Sequence, residues 1–125
     1  MNEREAALIS IYESVKSRAS FDFAEFQRRL TAWEVVPLKQ EKKIIGGVLI
    51  RDNELHVGYK HRPTASILRH IKATLGRLLT QFGSVITMVD ETNENGLRFC
   101  QRLGFDVTEH KNGSIYLKCQ RCKYV

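Results

Sequence analysis

Several stretches of this 125-residue chain carry side chains that can move protons, hold anions or bind a metal. In ELHVGYK, Glu54, His56 and Tyr59 are groups able to take up a proton as a general base. Asp90 and Glu91 close an apolar run and offer two more carboxylates, although such residues are also ordinary turn formers. The segment KHRPTASILRH brings Lys60, His61, Arg62 and Arg69 to the start of an apolar-periodic run, where the amides of Thr64, Ala65 and Ser66 would lack helical partners and could face an anion. Cys100 has a reference pKa of about 8.5 and either serves as an acid or is a small buried hydrophobe, the commoner fate of a free cysteine. Cys119 and Cys122 form CQRC, half of a zinc site; the other half would have to come from Cys100 and His110 on other elements. A redox role for CQRC would need a helix starting at the motif.

These residues need elements to position them. From Glu3 to about Lys16, Leu8, Ile11, Tyr12 and Val15 recur at helical spacing. In FDFAEFQRRL, Asp22 can cap the free amides with Glu25 three residues on, and Phe21 can pack on Phe26, so a second helix starts there. The runs WEVVPLKQ, KIIGGVLIR and ELHVGYK then read as three strands, divided by QEK and by Asp52-Asn53. A long helix follows, with Pro63 at its first position and a stripe of Ile67, Leu68, Ile71, Leu75, Leu78, Leu79 and Phe82. SVITMV reads as a short buried strand, VDETNENGLRFCQRLGF as a turn and a short helix, and FDVTEHKNGSIYLKC as a hairpin turning on Asn112-Gly113. The order ααβββαβαββ contains strand-helix-strand units, which require a partly parallel, hence mixed, sheet in an α/β (α+β) domain spanning residues 1–125.

Composition bounds the partners. A charged fraction of 27% and a hydrophobic fraction of 42% fit a globular protein in water. No apolar run approaches the roughly 20 residues that cross a bilayer. The start, MNEREAALIS, lacks the features of a secretory signal, so a cytoplasmic setting and reduced thiols are expected. The net charge of +6 favours an anionic partner, be it nucleic acid, an acidic protein surface or a phosphorylated cofactor. No nucleic-acid-binding module is present, and Arg28, Arg29, Lys42, Lys43 and the tail Lys118, Arg121 and Lys123 read as a solvated basic face. Phe23, Phe26 and Trp33 fall where core packing suits them.

The corner after SVITMV carries a resemblance. Val89, Asn93, Gly96, Phe99, Cys100, Leu103, Gly104 and Phe105 resemble the fourth-helix motif of the GNAT superfamily of N-acetyltransferases, and the element order matches except for a missing first strand. The resemblance implies a mixed, mostly antiparallel sheet flanked by helices and acyl transfer from acetyl-CoA to an amine, with no metal. It also implies that Arg62, Thr64, Ala65 and Ser66 grip the pyrophosphate, that the amides of Val57 to Tyr59 polarise the thioester, and that Asn93 lies at the cofactor. Cys100 stands where the family most often has a tyrosine proton donor, leaving Glu54 and His56 as base candidates.

Two departures accompany the resemblance. Ala65 replaces the first glycine and Ile67 the second small residue of the family's pyrophosphate loop, adding side chains between backbone and ligand. Gly58 either permits a bulge that frees amides or only makes room for a helix side chain. The chain is also similar to short phage-encoded GNAT-like proteins linked to virion assembly, which implies an alternative: a non-catalytic interaction protein in host cytoplasm or virion.

Overall fold

A computed structural model describes residues 2–17, 19–59 and 65–120, with the backbone alone for 65–70. The elements are α1 (Glu3–Val15), α2 (Phe23–Arg29), β1 (Glu34–Gln40), β2 (Lys43–Arg51), β3 (Glu54–Tyr59), α3 (Ala65–Phe82), β4 (Val85–Asp90), α4 (Glu94–Leu103), β5 (Asp106–Lys111) and β6 (Ser114–Cys119). The hydrogen-bonded strand order is β1-β2-β3-β4-β6-β5, with β3 and β4 parallel, so the sheet is mixed as the sequence predicts. No helix among the described residues is long and apolar enough to cross a membrane. The chain divides into two compact units, Met1–Arg51 with His56–His70, and Asp52–Leu55 with Ile71–Val125.

In the first unit, side-chain caps start both helices. Asn2 accepts from the Glu5 amide at 2.7 Å and Asp22 from the Glu25 amide at 2.9 Å, each satisfying a donor that the first turn leaves open. Leu8, Ile11, Phe26 and Leu49 form a buried cluster against which Tyr12, Phe21, Phe23, Leu30, Trp33 and Val35 pack. Full burial of each such aliphatic side chain contributes about 1.5–3 kcal/mol. Phe21 stacks on Phe26 with centroids 6.2 Å apart, the packing across the first turn of α2 that the sequence predicts. The Tyr12 hydroxyl donates to the Phe21 carbonyl at 2.8 Å, tying α1 to the chain entering α2. β1 and β2 form an antiparallel hairpin whose turn residues Glu41 and Lys42 both have positive φ, 52° and 66°. That is the conformation a tight hairpin turn demands, here without glycine.

In the second unit, β3 and β4 register at Glu54↔Ile86, and the Ile86 amide donates to the Asn53 carbonyl at 2.8 Å. Ile71, Leu75 and Leu78 of α3 are buried on the expected stripe, while Phe82 at its end is 42% exposed. β4 pairs antiparallel with β6, and β5 with β6, through the Asn112-Gly113 turn with φ of 52° and 80°. The expectation of a buried strand at SVITMV needs correction. Val85, Thr87 and Val89 are buried whereas Ile86, Met88 and Asp90 are exposed, because β4 has one face inward and alternate side chains leave the other in water.

Candidate functional site

β3 carries the expected base candidates and thioester-facing amides. A Cβ added to Gly58 would lie 2.7 Å from Cγ2 of Ile11, so the glycine leaves room for α1 to lie on the strand. The contact supports the reading in which Gly58 makes room for a helix side chain. Gly47 on β2 serves the same helix, with its Cβ position 3.1 Å from Ile11 Cδ1 and 3.2 Å from Ala7 Cβ. The irregularity near this point lies in β2: the β1–β2 register passes from Leu38↔Gly46 to Lys39↔Ile44, leaving Ile45 as the extra residue. Next to that bulge, a Cβ on Gly46 would press on the Gly58 carbonyl and lie 2.7 Å from Tyr59 Cα. The backbone of β2 thus touches β3 at Gly58–Tyr59, and Val57 and Tyr59 on either side are half-buried.

His56 is half-buried, and its ring meets that of Trp33 at 5.6 Å with an interplanar angle of 53°. Trp33 is itself held from α1, because Arg4 donates to the Trp33 carbonyl and to the Leu30 carbonyl, both at 2.8 Å. Sequence reasoning places Trp33 in packing, which it does, but misses its contact with His56 and the Arg4 clamp behind it. It also misses Gly46, whose only sequence signal is a glycine pair inside an apolar strand. Glu54 stands at the start of β3, half-buried and opposite Ile86.

The corner between β4 and α4 is built from hydrogen bonds. Asp90 Oδ1 accepts from the Thr92 amide at 2.9 Å and the Thr92 hydroxyl at 2.5 Å. Asn93 then caps α4, its Oδ1 accepting from the Gly96 amide at 3.0 Å. Gly96 is what allows this geometry: a Cβ there would stand 2.5 Å from Asn93 Nδ2 and 2.9 Å from its Cγ. At the other end Gly104 has φ 112°, and the amides of Gly104 and Phe105 donate to the carbonyls of Gln101 at 3.1 Å and Cys100 at 3.0 Å. This paired closure needs a left-handed residue, hence the glycine, and it turns Phe105 inward to 2% exposure. Cys100, half-buried, has its thiol pushed up from 9.0 to about 11 because burial disfavours the thiolate.

For the anion grip, Arg62 and Thr64 lie outside the described residues. The described part of α3 starts at Ala65, so the amides of Ala65 and Ser66 stand at its described start. Among the described residues no group of three or more His, Cys, Asp and Glu could hold a metal. The structure therefore joins His56 to Trp33, seats Gly58 and Tyr59 against Gly46, and places Asn93 and Cys100 on one capped helix.

No protein-family model matches the sequence, and no curated protein matches it. Solved structures do match. The chain is similar to the Campylobacter jejuni N-acetyltransferase PseH, in complex with acetyl coenzyme A, with TM-score 0.66 and 18% identity over 97% of this chain and 93% of that one. A GNAT family acetyltransferase from Elizabethkingia anophelis with acetyl-CoA bound gives TM-score 0.66 and 14% identity, over 90% and 89%. The PaiA N-acetyltransferase of Thermoplasma acidophilum, in complex with coenzyme A, gives 0.60 and 14%, over 94% and 89%. The chain has the GNAT fold.

Proposed function

We propose that this protein binds acetyl-CoA and transfers its acetyl group to an amine. The observation that carries the proposal is the GNAT fold, shared with acetyltransferases solved with coenzyme A or acetyl-CoA bound. The donor set suits a pyrophosphate: Ala65 and Ser66, at the described start of α3, are preceded in sequence by Lys60, His61, Arg62 and Thr64 without an acid among them. Acetyl-CoA, when bound, supplies the activated acyl carbon and a thiolate leaving group. The amides of Val57 and Tyr59 would donate to the carbonyl oxygen as negative charge develops there. Glu54 or His56 would take the proton that the attacking amine must lose, and Asn93 would face the cofactor with its amide Nδ2, since Oδ1 is engaged in the cap.

Cys100 is the motif's proton donor in this proposal, and a weak one. With its pKa at about 11 the thiol keeps its proton at neutral pH. Handing it to a thiolate of ordinary basicity is uphill by roughly 2–3 kcal/mol. Replacement by alanine is therefore expected to slow turnover less than about tenfold, against the hundredfold or more of a well-matched acid. A second reading, a non-catalytic scaffold of the phage-associated kind, is favoured by Ala65 in place of the loop's first glycine and Ile67 in place of its second small residue. Two readouts separate the readings. Acetyl-CoA at about 100 times its dissociation constant should add about 2.7 kcal/mol to the native state, a melting shift of about 8 °C. Release of free coenzyme A in the presence of a panel of primary amines should then follow. Absence of both at millimolar cofactor gives the scaffold reading.

A further inference from the structure

Among the described residues β5 ends the strand order with β6 as its one neighbour, and all six of its residues, DVTEHK, are exposed. Such an edge offers unpaired amides and carbonyls to another strand, and its charges decide which strand can join. On β6, Ile115, Leu117 and Cys119 point inward and are buried, while Ser114, Tyr116 and Lys118 point outward. The register sets Lys111 opposite Ser114, Glu109 opposite Tyr116 and Asp106 opposite Lys118, so these three residues of β5 also point outward. In an uninterrupted strand, Asp106 and Lys111 would point to opposite faces, since side chains alternate. The register shift between Val107 and Glu109 inserts Thr108 as an extra residue and brings both charges to one face. The Thr108 hydroxyl fixes the bulge by donating to the Tyr116 carbonyl at 3.2 Å.

We propose that β5 pairs antiparallel with β5 of a second copy of this chain about a two-fold axis between Thr108 and Glu109. That register opposes Asp106 to Lys111, Val107 to His110 and Thr108 to Glu109, and the symmetry repeats each pair. Opposed residues share a face at every pair because the bulge sits on the axis. Two Asp106–Lys111 ion pairs close the ladder, and Val107, 40% exposed, gains cover against the imidazole. Sliding the ladder so that its axis falls between Val107 and Thr108 would set Asp106 against Glu109, so like charges reject that register. A six-residue ladder is small for an interface, so the dimer is weak and concentration-dependent.

Charge exchange tests this directly by sedimentation equilibrium. Wild-type protein at about 0.5 mM is expected to populate dimer. Asp106→Lys and Lys111→Asp are each expected to weaken self-association about tenfold or more, because each sets like charges opposite one another twice. An equimolar mixture of the two variants restores both ion pairs and is expected to dimerise as wild type does. Wild type that stays monomeric overturns the proposal without reference to either variant. Variants, folded by circular dichroism, that dimerise undiminished overturn it as well, since another surface is then responsible, and so does a mixture that stays monomeric.

Discussion

The thiol of Cys100 sits in α4 with its pKa raised by desolvation from 9.0 to about 11. Between those values the native state holds a proton that the unfolded chain has released, so stability is complete below the unfolded value and is lost as pH rises through the folded one. Urea unfolding at stepped pH should show a fall of roughly 2 kcal/mol across that interval, a fall that Cys100→Ala removes. Seven residues earlier, at the cap of α4, a second dependence can be tested. Asn93→Ala removes the cap on the Gly96 amide and should cost about 1 kcal/mol. Gly96→Ala should cost a similar amount, although alanine is the better helix former by about 1 kcal/mol, because its Cβ evicts the Asn93 side chain. The two losses should not add in the double variant, since both act on one hydrogen bond.

At the scale of elements, α1 lies on strands from which side chains have been removed. Gly58→Ala would drive a methyl group into Ile11, and thermal unfolding should show a loss of about 1–3 kcal/mol that Ile11→Val partly recovers. Gly46→Ala should be worse and beyond rescue by Ile11→Val, because its obstacles include the Gly58 carbonyl and Tyr59 Cα, backbone atoms that cannot turn aside. Elements whose signal is local were legible in the sequence: Asp22 with Glu25, Asn112-Gly113, and Gly104-Phe105 each name their own conformation. The bulge at Ile45 was not, because an extra apolar residue inside an apolar run leaves the pattern unchanged. β4 was misread for a related reason. A run as uniform as VITMV carries no period, so its outward face at Ile86 and Met88 showed only in the structure.

For the whole molecule, the order of helices and strands followed from periodicity and turn chemistry, and the GNAT fold was what the resemblance of the α4 motif and of that order implied. The site was less legible, since His56 gains its meaning from Trp33, 23 residues earlier, and no spacing rule links an imidazole to an indole across an intervening hairpin. Charge acts at this scale too. A net charge of +6 raises the local concentration of a polyanion such as a coenzyme A ester, so affinity should fall as salt rises. The account as a whole stands on cofactor binding, and isothermal titration with acetyl-CoA measures it most directly. Saturable binding, weakened about tenfold by Arg62→Ala, is the result expected. Absence of saturable heat at millimolar acetyl-CoA, with the protein folded, would contradict it.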